Sequence, residues 1–93
     1  MRTRKTFDIV IPDSPLKIGD RGLGVMYLQI ALQAVLKLTG KNDIVKAENG
    51  YFGTKTENAV RLFQEKNKIH IDGRYTDLTR RVLREVIKDG NKH

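Results

Sequence analysis

The stretch from Asn49 to Gln64 constrains the fold of this chain more than any other. It carries a reversal, an aromatic pair and a helix start in immediate succession. Asn49-Gly50 is the dipeptide that most readily reaches positive φ, which places a tight turn there. Tyr51-Phe52 supplies a large apolar surface, and Gly53 lets the backbone turn again. Thr54 and Glu57 match a capping box, in which the threonine oxygen accepts from the N3 amide and the glutamate reaches back to the cap. Ala59, Val60 and Phe63 then recur at helical spacing, which predicts an amphipathic helix from about Lys55 to Asn67.

The same device recurs 23 positions later. Asn49-Gly50-Tyr51-Phe52 and Thr56 overlay on Asp72-Gly73-Arg74-Tyr75 and Thr79, with Val60 on Leu83 and Phe63 on Val86. Thr76 is the expected N-cap of a helix from about Asp77 to Lys88, whose apolar side is Leu78, Val82, Leu83, Val86 and Ile87, with Gly90 ending it. Two copies are too few for a solenoid, which needs about three or more. Ahead of them, Val25, Leu28, Leu32 and Val35 define a first helix beginning near Leu23, widened by Ile30, Ala31, Leu36 and Leu38. It is expected to be the most buried helix, ended by Gly40 as C′. Lys41 to Glu48 reads as a polar connection with Ile44 and Val45 turned inward. Ile69-His70-Ile71 alternates in period 2 before the second reversal.

The predicted fold is all-α, a compact three-helix bundle with two turn–helix repeats and an extended N-terminal arm. Its parts are a basic, extended arm over 1–15, the helical domain over 16–89 and a frayed tail over 90–93. Residues 1–6 are basic and mobile in this reading. Phe7 to Ile11 is β-prone and stopped by Pro12, an extended segment laid on the domain with Phe7 or Ile9 as its anchor.

With 93 residues, 39% of them hydrophobic, the chain can bury one modest core. No run of 18 apolar residues exists to span a bilayer. Phe7 to Pro12 is too short and too charged for a signal h-region, so the chain is expected in the cytoplasm when made. The absence of cysteine excludes disulfides and thiolate chemistry. Only His70 and His93 could serve a zinc site, which needs three or four ligands, so no metal or cofactor is expected. The one serine, Ser14, precedes a proline, and no Gly-x-Ser-x-Gly elbow exists. Gly19-x-x-Gly22-x-Gly24 lacks the strand that a phosphate loop follows and reads as a helix-entry turn. No catalytic residue is expected.

A net charge of +7 favours anionic partners. Arg80, Arg84 and Lys88 recur every four residues, and Arg2, Arg4 and Lys5 sit in the arm, which together could meet nucleic acid. Against this, Asn67 to Thr76 is too long for the turn of a helix-turn-helix.

Leu16-x-x-Gly19-x-x-Gly22-x-x-Val25-x-x-Leu28-Gln29-x-x-Leu32, followed by Asn49-Gly50-x-Phe52-Gly53-x-x-Thr56-x-x-Ala59-Val60-x-x-Phe63-Gln64, resembles the peptidoglycan-binding domain found beside bacterial and phage cell-wall hydrolases. The resemblance covers roughly Leu16 to Ile87. It implies a non-catalytic, monomeric module that binds wall glycan or stem peptide and acts at the wall after release or with a partner enzyme. Arg80 stands where the family carries a tryptophan, which removes an aromatic platform there. Tyr27, Gln29, Tyr51, Gln64, Arg74 and Tyr75 are the candidate ligand contacts, tyrosines for a ring plus a hydroxyl and basic groups for stem-peptide carboxylates. Gln29 and Gln64 could instead cap loop backbone, and Phe52 and Phe63 are expected in the core. Two alternatives stay open: a small stand-alone, phage-encoded protein that binds a host protein inside the cell, and DNA binding through the basic helix and arm.

Overall fold

The computed structural model describes residues 9–90, in the order α1 (Leu23–Leu36), α2 (Ile44–Glu48), α3 (Thr54–Lys66) and α4 (Asp77–Gly90). The arm expected at Arg2, Arg4 and Lys5, the anchor role expected of Phe7 and the tail expected at 91–93 lie outside these residues. The three long helices fall where the apolar periodicity placed them, and no strand forms among the described residues. The connection read as polar coil carries a short 3-10 turn (Gly40–Asn42) and then α2, whose N-terminus Asp43 caps by accepting from the Lys46 amide at 2.8 Å. Ile44 turns inward as expected, while Val45 is only half-buried.

The core joins all four helices. Val25, Leu28, Ala31 and Leu32 of α1 meet Ile44 of α2, Ala59, Val60 and Phe63 of α3 and Leu83 of α4, with Phe52 and Tyr75 from the two turns. At about 25 cal/mol per Å2 of apolar area, each such large side chain contributes roughly 1.5–3 kcal/mol. Ile9 and Ile11 pack against this cluster from the extended segment, and Pro12 is buried beneath Tyr75, whose hydroxyl donates to the Pro12 carbonyl at 2.6 Å.

The loop before α1 laces the two repeats together. Leu16 exchanges both backbone hydrogen bonds with Tyr75 at 2.9 Å. Further along, Gly19 donates to Phe52, Phe52 to Asp20, and Gly22 to Gly50. These pairings form isolated antiparallel bridges, Leu16 with Tyr75 and Arg21 with Tyr51. Gly50 and Gly73 sit at φ +76° and +74°, so the two reversals share one conformation that only glycine adopts at low cost.

Four local expectations are corrected. Helix α1 ends at Leu36, and the left-handed residue that ends it is Lys37 rather than Gly40; the Lys37 and Leu38 amides both return to the Gln33 carbonyl. Ile30 does not widen the buried stripe of α1, nor does Leu78 join the apolar side of α4, since they are 42% and 48% exposed. Thr54 makes no capping hydrogen bond; α3 is capped from outside by Glu48.

Candidate functional site

The first turn is held by two side chains that arrive from helices. Gln29, on the inward face of α1, accepts from the Gly50 amide at 2.9 Å and directs its own NH2 to the Glu48 and Tyr51 carbonyls and to Thr56 Oγ1, each at 2.9 Å. Glu48, the last residue of α2, accepts from the amides of Gly53 (3.2 Å), Lys55 (3.0 Å) and Thr56 (2.8 Å) and from the Thr56 hydroxyl (2.8 Å). A carboxylate facing the free amides of a helix start satisfies donors that the helix itself cannot. Partial burial alone would raise the Glu48 carboxyl, but the hydrogen bonds from Lys55, Thr56 and Gly53 outweigh it and hold it below its ordinary value.

The second turn repeats the arrangement from α3. Gln64 accepts from the amides of Asp72 and Gly73 at 3.0 Å and donates to Asp72 Oδ1 (2.9 Å), the Arg74 carbonyl (3.0 Å) and Thr79 Oγ1 (3.1 Å). Asp72 also accepts from the Arg74 amide at 2.9 Å. Desolvation pushes its carboxyl up, but these bonds and the nearby His70 and Arg74 bring it below the ordinary value.

This construction corrects half of the candidate ligand set. Gln29, Gln64 and Tyr75 are at most 1% exposed, and their polar groups are committed to Gly50 and Thr56, to Gly73 and Thr79, and to Pro12 respectively. A buried polar group already satisfied has nothing to offer a ligand. Burial drives the Tyr75 hydroxyl far above its ordinary range.

Tyr51, Arg74 and, half-buried, Tyr27 remain at the surface. The overlay explains the division: Phe52 and Tyr75 point into the core, while Tyr51 and Arg74 take the outward position one residue before them. Arg21, which the sequence did not single out, lies over the Tyr51 ring at 4.6 Å from its centre, brought there by the Arg21–Tyr51 bridge. Only the folded pairing of the loop with the turn reveals it.

The basic stripe of α4 is partly neutralised. Arg80 and Arg81 both pair with Asp77, at 2.6 and 2.9 Å, whereas Arg84 and Lys88 are exposed. The hydrogen bond from Arg80 lowers the Asp77 carboxyl and raises the Arg80 guanidinium.

Beside the first turn, α1 and α2 enclose an open groove of about 600 Å3 lined by Ile30, Gln33, Ala34, Asp43, Val45, Lys46 and Asn49. A second hollow of about 300 Å3 lies between α2 and α3, lined by Leu38, Asn42, Ile44, Lys55, Asn58, Ala59 and Leu62. Neither was legible from spacing alone, because both depend on α2 forming. Among the described residues, no helix is long and apolar enough to cross a membrane.

Residues 21–83 match the family model of the peptidoglycan binding domain. The chain is 35% identical over 68 residues to the N-acetylmuramoyl-L-alanine amidase CwlL of Bacillus licheniformis, a match covering 73% of this chain and 19% of that protein. It thus spans about a fifth of the length of this curated relative. Among solved structures, the N-terminal domain of SleB superposes with a TM-score of 0.69 at 31% identity, over 84% of this chain and 99% of that one.

Proposed function

The chain belongs to the peptidoglycan-binding domain family, and on that premise we propose that it is a non-catalytic module that attaches to bacterial cell wall. The observation that carries this reading is the extent of the match. Residues 21–83 take in the entry loop from Arg21, both turns and α1 through Leu83 of α4, so the match coincides with the packed bundle. The SleB comparison supports it further, since a separate N-terminal domain of that protein has this fold over nearly its whole length.

The module acts at the wall, through the surface beside the turns. Tyr51 with Arg21 over its ring contributes at the first turn, Arg74 at the second and Tyr27 from α1. Glu48, Gln29 and Gln64 shape the turns from beneath and touch no ligand. The test is co-sedimentation with purified insoluble peptidoglycan at low and at moderate salt. The chain should pellet in both, because a shaped contact outlasts the screening of exposed charges. A chain left in the supernatant at low salt, or one released as soon as salt is raised, contradicts the proposal.

A further inference from the structure

Within that wall-binding reading, on which this inference rests, we propose that the groove between α1 and α2 takes the peptide part of the wall, a short chain of small apolar and charged residues, rather than its sugars. The apolar part of the groove lining is Ile30, Ala34 and Val45, three aliphatic side chains to which methyl-sized groups are complementary. Its lining carries charges of both signs, Asp43, one of whose oxygens caps α2, and Lys46, and neither takes part in an ion pair among the described residues. Gln33 also lines the groove and anchors α2 by accepting from the Val45 amide at 3.0 Å, which leaves its NH2 as a donor. A wall stem peptide is complementary to each feature. It has alanine methyls for the apolar lining, free carboxylates for Lys46, an amino group on its diamino acid for Asp43, and amide carbonyls for Gln33. The volume of about 600 Å3 suits a ligand of a few residues.

Sugars fit this surface less well. Pyranose rings are gripped by stacking on open aromatic faces, and the chain has no tryptophan. Of its three tyrosines, Tyr75 is buried, Tyr27 is half-buried, and one face of Tyr51 is covered by Arg21. The groove, in contrast, holds aliphatic and charged groups and no ring. A protein helix would need a broader apolar surface than Ile30, Ala34 and Val45 provide, and it would leave the two lining charges desolvated.

The experiment titrates isotopically labelled chain, followed by its amide resonances, with a synthetic sugar-free stem tetrapeptide and separately with glycan strands stripped of peptide. Co-sedimentation with whole peptidoglycan runs in parallel. The tetrapeptide should shift resonances of Ala34, Val45 and Lys46, and peptide-free glycan should not. Lys46→Glu should weaken tetrapeptide binding by about tenfold or more, the scale of a lost charge-assisted hydrogen bond. Ala34→Glu should do likewise by filling the groove. Lys88→Glu, an equal charge change on α4, should leave the affinity within about twofold. All three positions are exposed, and circular dichroism verifies that each variant is folded. Retention on whole wall with no tetrapeptide shifts in the groove overturns this inference and leaves wall binding intact. Shifts of the groove by glycan alone also overturn it. Failure to bind whole wall removes both.

Discussion

Glu48 sets one carboxylate oxygen 2.8 Å from both the amide and the hydroxyl of Thr56. One side chain at the end of α2 thereby starts α3 and fixes the turn between them. Removing it in Glu48→Ala leaves the amides of Lys55 and Thr56 without their acceptor and the Gly53 amide with the Tyr51 carbonyl alone. The loss of a helix cap costs about 1–2 kcal/mol, and Glu48→Gln, which keeps one acceptor, costs less. Urea denaturation of the three proteins gives the ordering directly.

Acid should expose the same interaction. The Glu48 and Asp72 carboxyls lie below their ordinary values of 4.5 and 3.8 in the folded chain. A depressed folded value gives stabilisation that is complete above the unfolded value and lost as pH falls through the folded one. The melting temperature should therefore hold steady from neutral pH to about 5.5 and decline below about 4.5. The decline should be shallower in Glu48→Gln, as thermal melts across the pH series would reveal.

Gln29 and Gln64 do the same work in two places. Gln29→Leu and Gln64→Leu keep the volume but orphan buried partners, among them the Gly50 amide in one and the Gly73 amide in the other. Each should cost about 2–4 kcal/mol, the range for leaving buried polar groups unpaired. The two side chains share no hydrogen-bond partner, so the double variant should lose close to the sum if it still folds. Chemical denaturation of the single and double variants checks this, or, if the double variant is unfolded, far-UV circular dichroism records that outcome.

Gly53 is small because of its neighbours. A Cβ there would lie 2.5 Å from Glu48 Oε2 and 2.9 Å from Tyr51 Cε2, so Gly53→Ala must displace both the capping carboxylate and the exposed ring. It should cost about 2 kcal/mol, more than the roughly 1 kcal/mol expected for Gly40→Ala, where φ is +62° but space is open. Equilibrium unfolding of the pair settles which effect is larger.

Tyr75→Phe removes the hydroxyl that reaches Pro12 and nothing else. The expected loss is about 1 kcal/mol, the net worth of one buried hydrogen bond. Amide exchange should rise at Leu16 and Tyr75, whose amides bond each other's carbonyls, and leave α1 and α3 unchanged.

What the sequence revealed follows the range of the forces involved. The two reversals and three long helices were legible because Asn49-Gly50, Asp72-Gly73 and the apolar stripes act within a few residues. The capping of α3 is not legible in the local sequence. Thr54 had the right local spacing, but Glu48 makes more hydrogen bonds once α2 brings it near, and α2 is too short to show a period. Ile30 counted as core because a stripe drawn generously on α1 includes it; burial depends on where the neighbouring helices stop. Gln29 and Gln64 stand out in the sequence as polar residues at fixed places, but spacing alone does not tell a ligand contact from a clamp on a turn. Arg21 over Tyr51 and Tyr75 on Pro12 are contacts between distant segments, which no local pattern encodes.

The most direct measurement of the central claim is a saturation isotherm of the intact chain on purified insoluble peptidoglycan at near-physiological salt. Wall binding through a defined surface gives retention that saturates and is competed by excess unlabelled chain. Retention that rises linearly without saturating, or no retention, would contradict it.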